Sequence, residues 1–170
     1  MNIPIRRFYL IAAIILALFL ISLPFLEISA EEVGAFPGNI APDFNLESLD
    51  GEEVVLNQFD EDTVFLTFWT TWCPACQEKL PDIQTLDKNF SEEITVLTVN
   101  TGESPGEVEN FIEENDYDFE TLLDQDQEIA QDYMVRGIPV TFILGEDNII
   151  EERYTGPLPY EEKLEILNLE

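Results

Sequence analysis

The amino-acid sequence predicts an α/β domain in which helices flank both faces of a mixed β-sheet, and two observations lead to this fold class. First, residues 64–69 and 94–100 are almost continuously apolar and β-branched, which is typical of strands buried on both faces of a sheet. Second, the stretch between them has a helical pattern, so the two runs are expected to form a right-handed βαβ unit. Strands and helices alternate again towards the C-terminus, which favours a mixed sheet covered by helices.

The first half of the domain contains a predicted hairpin and two predicted helices. Short apolar runs on both sides of Asp50-Gly51 predict a β-hairpin, because Asp-Gly is a favoured two-residue turn. Residues 73–89 are predicted to be helical, with a break or bend at Pro81, since proline lacks the N–H group that a helix interior needs. Ser104-Pro105 predicts the start of the next helix, with proline in its first turn. The apolar face of that helix consists of Val108, Phe111 and Ile112.

The second half of the domain is predicted to end in a hairpin and a helix. Residues 119–123 form a short apolar stretch, and residues 126–133 a short helix. Residues 140–144 and 149–154 are predicted to be two strands of a hairpin that pairs antiparallel on the same sheet. An amphipathic helix over residues 160–169 closes the chain.

An apolar segment near the N-terminus predicts a membrane anchor. Residues 8–26 carry no charge, and at about 1.5 Å per residue they can cross most of a hydrocarbon core of roughly 30 Å. Arg6-Arg7 precedes the segment and should stay inside, which places the rest of the chain outside the cytoplasm. We therefore expect a transmembrane signal-anchor segment at residues 1–30, a linker at residues 31–38 and the folded domain at residues 39–170. The expected location is the cell membrane, with a single pass and an extracytoplasmic C-terminal domain.

A cleaved signal peptide is the alternative interpretation of the same segment. Ile28-Ser29-Ala30 offers a small residue for cleavage, although Ile28 fits the small-x-small pattern poorly. The apolar stretch also exceeds the length of about 7–15 residues that is usual for the core of a signal peptide. Both interpretations export the domain.

The chain is strongly acidic, with 36 Asp and Glu against 7 Lys and Arg, no histidine and a formal net charge of −29. Such a surface repels nucleic acid and anionic lipid headgroups, so neither is expected as a partner. Strong solvation of the surface is one explanation of the acidity. A docking face for basic partners is the other.

The two cysteines of the chain, Cys73 and Cys76, lie at the predicted junction of a strand and a helix. A cysteine that opens a helix lies at the positive end of the helix dipole, where the nucleophilic thiolate is favoured. Cys73 is therefore the candidate nucleophile, and Cys76 should face inward and resolve the mixed disulfide. An inert structural disulfide is the alternative, but so small a loop gains less than the ~3 kcal/mol expected for a loop of fifteen residues.

A metal or haem cofactor is not expected. Structural zinc takes four Cys or His ligands, and this chain has two cysteines and no histidine. Gln77 follows the second cysteine, so the Cys-x-x-Cys-His motif for haem attachment is absent. The redox-active disulfide itself is the expected redox group.

From residue 38 to residue 169, the order of elements and several motifs resemble the thioredoxin superfamily, and within it the membrane-anchored TlpA/ResA-type thiol–disulfide oxidoreductases. The motifs are Ala41-Pro42-Asp43-Phe44, Asp50-Gly51, residues 69–76, residues 99–104 and Gly137-Ile138-Pro139. The resemblance implies a thioredoxin-like mixed sheet with an N-terminal β-hairpin extension. It also implies that Pro139 is cis and faces the disulfide, and that the backbone of Ile138 binds a substrate segment as an added strand.

Three further residues around the cysteines are candidates for contact with substrates or for tuning. Trp72 is expected to shield the sulfur of Cys73 and to contact partners. The alternative is that Trp72 is simply an aromatic residue at the rim of the site. Pro74 and Ala75 occupy the dipeptide that tunes the redox potential by altering thiolate stability.

The sequence departs from the family pattern at two positions that concern proton transfer. Thr67 stands where thioredoxins have a buried aspartate, and Lys79 stands where the ResA-type branch often has a glutamate. Glu78 is adjacent but should point about 100° away around the helix. The proton acceptor for Cys76 is therefore Glu78, a water molecule or no dedicated group. Lys79 would lower the pKa of the cysteines if it lies near them, and is a solvated lysine otherwise.

The resemblance implies an extracytoplasmic oxidoreductase that reduces disulfides in exported proteins, for example in apocytochrome c maturation, with electrons from a membrane thiol-reductant partner. A peroxiredoxin-like peroxidase is one alternative: Thr70 and Cys73 match part of the peroxiredoxin motif, but Leu66 stands where that motif requires proline. A redox-silent binding or chaperone module, which would hold extended segments in the groove at Pro139, is the other alternative.

Overall fold

The computed structural model describes residues 32–169, and the predicted anchor segment at residues 1–30 lies outside them. Among the described residues, no helix is both long and apolar enough to cross a membrane.

The strands are β1 (Asn45–Ser48), β2 (Glu53–Val55), β3 (Val64–Trp69), β4 (Thr95–Thr101), β5 (Thr121–Asp124), β6 (Val140–Leu144) and β7 (Ile150–Thr155). The α-helices are α1 (Pro74–Gln77), α2 (Leu80–Phe90), α3 (Pro105–Glu114), α4 (Glu128–Asp132) and α5 (Tyr160–Ile166). Short 3-10 helices cover Leu56–Phe59 and Glu146–Asn148.

The strands form one mixed sheet in the order β2-β1-β5-β4-β3-β6-β7. Strand β4 runs parallel to β3 and to β5, whereas β6 pairs antiparallel with β3, and β7 antiparallel with β6. The N-terminal hairpin β1–β2 joins the sheet through an antiparallel pairing of β1 with β5. The predicted mixed thioredoxin-like sheet is therefore confirmed, including its parallel β3–β4 pair and its two hairpins.

Strand β3 lies inside the sheet, between β4 and β6, and separates two layers of core. All six of its side chains are buried, because it has a strand on each edge and helices over its faces. Leu66 and Phe68 belong to a cluster with Ala130 of α4, on one face of the sheet. On the other face, Phe65 and Trp69 belong to a cluster with residues of α2, α3 and α5, among them Leu80, Ile83, Leu86 and Val108. Helices thus cover both faces, as the sequence predicts.

The predicted helix over residues 73–89 is divided into α1 and α2. The break falls at Glu78 and Lys79, two residues before Pro81. Proline has no N–H group, and inside a continuous helix its ring would clash with the carbonyl group four residues earlier, that of Gln77. In the observed arrangement, Pro81 lies in the first turn of α2, where no N–H donor is needed.

Residues 32–38, which belong to the predicted linker, make contacts with the sheet. Ala35 is buried, the N–H group of Gly38 donates to the carbonyl oxygen of Ile150 at 2.8 Å, and Arg153 Nη1 donates to the carbonyl oxygen of Ala35 at 3.2 Å. This part of the segment therefore packs against β7.

Candidate active site

The turn between β3 and α1 places Cys73 at the start of the helix. Cys73 is the N-cap residue of α1, and its Sγ atom accepts a hydrogen bond of 3.1 Å from the backbone N–H of Cys76. Its carbonyl oxygen also accepts the N–H of Gln77 at 3.0 Å, and Pro74 fills the first helical position, where a missing N–H costs nothing. The sequence prediction that the first cysteine opens the helix is confirmed.

Cys73 and Cys76 are joined by a disulfide, and both residues are buried. Cys73 is 5% exposed and Cys76 is 2% exposed, so the first cysteine is the nearer of the two to solvent. The Sγ atom of Cys73 lies 3.9 Å from the carbonyl oxygen of Ile138. The Ile138–Pro139 peptide bond is cis, as the family resemblance implies. The loop before β6 thus lies directly against the disulfide.

The predicted contact residues surround this junction in different ways. Trp72 is 69% exposed at the rim, and it lines a groove together with Ile138. Pro74 is exposed and Ala75 is half-buried, both in the dipeptide between the cysteines. Pro139 is buried and lies on the inner side of the disulfide.

A glutamate that the sequence analysis did not single out holds the loop before Cys73. Glu103 accepts hydrogen bonds from the N–H of Thr71 at 2.7 Å, from the hydroxyl of Thr71 at 2.5 Å and from Asn100 Nδ2 at 2.8 Å. Gln77 donates to the carbonyl oxygen of Thr71 as well. These bonds fix the backbone immediately before Cys73. Residues 99–104 entered the sequence analysis only as a family motif, with no role for the glutamate.

A small cavity lies behind Cys76, on the inner side of the disulfide. Its volume is about 10 Å³, close to the space that one water molecule needs. Among its lining residues are Thr67, Trp69, Cys76, Lys79 and Lys163. The structure therefore brings Thr67 and Lys79, two predicted tuning residues, to the cavity behind Cys76. Glu78 does not line this cavity, and its side chain is 70% exposed.

The hydroxyl of Thr67 is engaged within the sheet. It lies 3.1 Å from the hydroxyl oxygen of Thr141 and 3.3 Å from the carbonyl oxygen of Val140. A threonine hydroxyl does not ionise near neutral pH, so Thr67 supplies no base at the position where thioredoxins carry an aspartate. Trp69 packs against Phe111, with ring centroids 5.6 Å apart, and its indole N–H has no hydrogen-bond partner among the described residues.

Lys163 of α5 is the functional candidate that the sequence analysis missed entirely. Lys163 is only 1% exposed, and its ammonium group contacts Asp82 Oδ2 at 3.2 Å. Burial lowers the pKa of Lys163, and the carboxylate of Asp82 acts against this shift. Lys79 lines the same cavity and pairs with Glu78 at 3.1 Å. In the sequence, Lys163 is only one charged residue in an amphipathic helix, so no local pattern indicates that it is buried.

The fold and this site define the class of protein: a thioredoxin-like thiol–disulfide oxidoreductase with a Cys-x-x-Cys pair at a strand-to-helix junction. The model of the AhpC/TSA family matches residues 37–153, and the chain belongs to this family.

Individual relatives agree with the resemblance to the ResA-type branch. The chain is 34% identical to the thioredoxin-like protein YneN of Bacillus subtilis (strain 168) over 145 residues. The matched region covers 84% of this chain and 85% of YneN. It is 33% identical over 122 residues to the thiol-disulfide oxidoreductase ResA of the same strain, with 71% of this chain and 68% of ResA covered. The crystal structure of StoA from Bacillus subtilis is similar at a TM-score of 0.66 and 30% identity, over 79% of this chain and 98% of that one.

Proposed function

We propose that this protein is an extracytoplasmic reductant of disulfides in exported proteins, acting by dithiol–disulfide exchange at Cys73 and Cys76. The observation that carries the proposal is the position of the Cys73 sulfur: it caps a helix and lies 3.9 Å from the carbonyl oxygen of Ile138, beside the cis bond to Pro139. A substrate strand that pairs with the backbone of Ile138 would bring its own disulfide to this sulfur.

The reaction moves two electrons in two exchange steps. In the reduced protein, the Cys73 thiolate attacks one sulfur of the substrate disulfide, and the other substrate sulfur leaves as a thiolate and takes a proton from water. The Cys76 thiolate then attacks the sulfur of Cys73 in the mixed disulfide, which releases the second substrate thiol. The product is the Cys73–Cys76 disulfide that the structure contains. No cofactor other than this disulfide is needed.

Cys76 must lose its proton for the second step, and its surroundings favour the charged form of the sulfur. Lys79 and Lys163 line the cavity on its inner side, whereas Glu78 and Asp82, the carboxylates with which they pair, do not line it. A thiolate is stabilised by nearby ammonium groups. The cavity offers about the space of one water molecule and Glu78 does not line it, and both observations support solvent over Glu78 as the proton acceptor.

The extracytoplasmic location and the partners rest on the sequence and on the relatives. Residues 8–26 are apolar and follow two arginines, and ResA and StoA belong to the branch that the chain resembles. We place the domain outside the cytoplasm, anchored by its N-terminal segment, with a membrane dithiol protein as the electron donor. Apocytochrome c is one exported substrate of the right chemistry, since it must keep two cysteines reduced until haem is attached.

The direction of electron flow is tested by the equilibrium potential of the cysteine pair against glutathione. A reductant should have a potential clearly below the value of about −180 mV that characterises an isomerase. A potential at or above that value would overturn the reducing role and indicate an oxidase or isomerase.

Variants of the two cysteines test the chemistry itself. Cys76→Ser should accumulate mixed disulfides with exported proteins, whereas Cys73→Ser should trap none and should lose reductase activity. Retention of full function by Cys73→Ser would identify a redox-silent binding module. Turnover of peroxide at a rate comparable to that of disulfides would identify a peroxidase.

A further inference from the structure

Most cations of the described residues line either the cavity behind the disulfide or two grooves that begin beside Ile138. Residues 32–169 contain five Lys and Arg residues. Lys79 and Lys163 line the cavity on the inner side of the disulfide, Arg136 lines a groove that includes Trp72 and Ile138, and Arg153 lines a second groove that adjoins the first at Arg136. Only Lys88 lies at neither place, on α2.

The two grooves adjoin each other, because they share Arg136 and Gly137. The inner groove has a volume of about 270 Å³ and includes Trp72 and Ile138, so it adjoins the nucleophile. The outer groove, which we call the arginine groove, has a volume of about 650 Å³. The arginine groove is lined by Phe36, Met134, Arg136, Gly137, Val140, Arg153 and Thr155. Neither groove has an acidic lining residue, although the chain carries 36 Asp and Glu.

The two arginines differ in how firmly the protein holds them. Arg153 donates to the carbonyl oxygens of Ala35 at 3.2 Å and Met134 at 3.0 Å, and its guanidinium lies 5.2 Å from the ring centroid of Phe36. Arg136 is exposed, and among the described residues it has neither an ion pair nor a side-chain hydrogen bond. Arg136 can therefore turn its guanidinium to a ligand, and carboxylates match a guanidinium in a two-pronged geometry.

Exposed apolar side chains accompany these charges. Trp72, Phe36 and Met134 are 69%, 52% and 40% exposed, respectively, and they lie along the same two grooves. Large apolar side chains on a rim and a cation between them suit a polypeptide segment better than a small anion. Arg136 lies two residues before Ile138, and this position sets the expected distance along the substrate between its acidic residue and its reacting cysteine. At about 3.3 Å per residue, a strand paired alongside residues 136–138 carries its acidic residue about two positions from its reacting cysteine.

We propose that the arginine groove selects substrate segments that carry an acidic residue about two positions from the target cysteine, with an apolar residue beyond it. This inference rests on the proposed disulfide reductase function and specifies its substrate class. The proposal differs from the expectation that the acidic surface docks basic partners. The contact that decides specificity lies in grooves that no Asp or Glu lines.

The net charge of −29 acts against acidic substrates at long range, and this sets the conditions in which the preference appears. At an ionic strength of about 0.15 M the screening length is about 8 Å, so distant carboxylates are largely screened. A direct contact between Arg136 and a substrate carboxylate is shorter than that length and persists. The preference for acidic segments should therefore be present at physiological salt and should shrink at low salt.

The test compares peptides that differ only in charge. Three decapeptides carry Asp, Asn or Lys two positions from a single cysteine, which is present as a mixed disulfide with 2-mercaptoethanol. The reduced full-length protein is mixed with each peptide at 0.15 M salt, and the second-order rate constant for reduction is measured. We expect the Asp peptide to react about three to ten times faster than the Asn peptide, as one ion pair of about 1 kcal/mol would give, and the Lys peptide to react more slowly than both.

Two variants assign the preference to the groove. Arg136→Gln should bring the ratio of the Asp rate to the Asn rate close to one, and Arg136→Glu should favour the Lys peptide. Lys88→Gln is the matched control, because it removes the same charge from a residue remote from both grooves, and it should keep the wild-type ratio. Equal rates for the three peptides, a faster Lys peptide in the wild type, or an unchanged ratio in Arg136→Gln would overturn the proposal.

A second measurement separates this inference from the reductase function. The same peptides with Ser in place of cysteine are titrated into the oxidised protein by calorimetry, which requires no exchange chemistry. Tighter binding of the Asp peptide that is lost in Arg136→Gln supports the groove even if no peptide is reduced. Equal binding of all three peptides overturns it even if all three are reduced.

Discussion

The Glu103 carboxylate accepts two hydrogen bonds from Thr71, one from the backbone N–H of Thr71 at 2.7 Å and one from the Thr71 hydroxyl at 2.5 Å. Because Thr71 lies two residues before Cys73, this contact ties the loop before Cys73 to the segment that follows β4. The loop is therefore held from a neighbouring strand as well as by its own helix.

Replacing Glu103 should loosen this loop. Glu103→Ala leaves the donors of Thr71 and Asn100 without their acceptor, and hydrogen bonds to a charged group contribute about 1.5–3 kcal/mol each. We expect a loss of about 2 kcal/mol in the free energy of unfolding, together with slower exchange at Cys73. Urea unfolding and the rate of reduction of a small disulfide measure the two effects. Glu109→Ala, an exposed position on α3, is the control and should change neither.

Replacing Lys163 should alter the redox potential more than the stability. Lys163→Met removes a cation from the cavity beside Cys76, so the reduced form loses thiolate stabilisation and the potential falls, by about 15–30 mV if the loss is ~0.7–1.4 kcal/mol. The partner Asp82 is 31% exposed, so it stays hydrated and the fold tolerates the change. Glutathione equilibration at pH 8 measures the potential.

Two further variants decide whether the charge of Lys163 is the cause. Lys163→Arg keeps the cation and should restore most of the potential, whereas Lys88→Met removes an exposed cation and should leave the potential unchanged. An unchanged potential in Lys163→Met would show that Lys163 only links α5 to α2.

Mild acid should stabilise the protein. Partial burial and the neighbouring Asp118 raise the pKa of Asp87, and partial burial and the nearby carboxylates of Asp50 and Glu52 raise the pKa of Glu120. A carboxyl whose pKa is higher in the folded state binds more protons there than in the unfolded chain. Its stabilising contribution is present below the unfolded pKa and is lost as the pH rises through the folded pKa.

The melting temperature should accordingly rise as the pH is lowered from 7 towards the ordinary pKa range of Asp and Glu side chains. Thermal unfolding at pH 7 and pH 5 measures this trend, and the double variant Asp87→Asn with Glu120→Gln should show less of it. A melting temperature that falls steadily over this interval would contradict the assignment.

Two glycines offer a matched pair of substitutions next to β4. Gly102 has a φ angle of +79°, and an added Cβ atom would lie 2.8 Å from Gln127 Nε2, whereas at Gly106 in α3 an added Cβ atom meets nothing within 4 Å. Gly102→Ala should therefore destabilise the fold by about 1–2 kcal/mol. Gly106→Ala should stabilise it by about 0.4–1 kcal/mol. Denaturant unfolding of the two variants checks both signs, and equal effects would contradict the conformational explanation.

The sequence predicts the parts of this molecule that depend on local patterns. The buried run of β3, the hairpin at Asp50-Gly51 and the bend caused by Pro81 all follow from residues that are close together in the chain. The Cys-x-x-Cys pair at the start of a helix was predicted in the same way, with its chemistry.

The parts that the sequence did not predict depend on contacts between distant residues. Glu103 reaches Thr71 across 32 positions, and Lys163 reaches Asp82 across 81. Each of these residues is an ordinary polar residue in its own segment, and only the packing of the helices and loops against the sheet gives it a role. The arginine groove likewise joins Phe36 to Arg136 and Arg153, which no spacing rule connects.

The two tryptophans near the disulfide differ in their exposure: Trp69 is buried in the core cluster that contains both cysteines, and Trp72 is 69% exposed. A disulfide quenches the emission of an adjacent indole, so the fluorescence of Trp69 should brighten on reduction. The emission of Trp72 should respond instead when a polypeptide covers the rim. The protein thus carries two optical reporters, one for electron transfer and one for occupancy, without any added label.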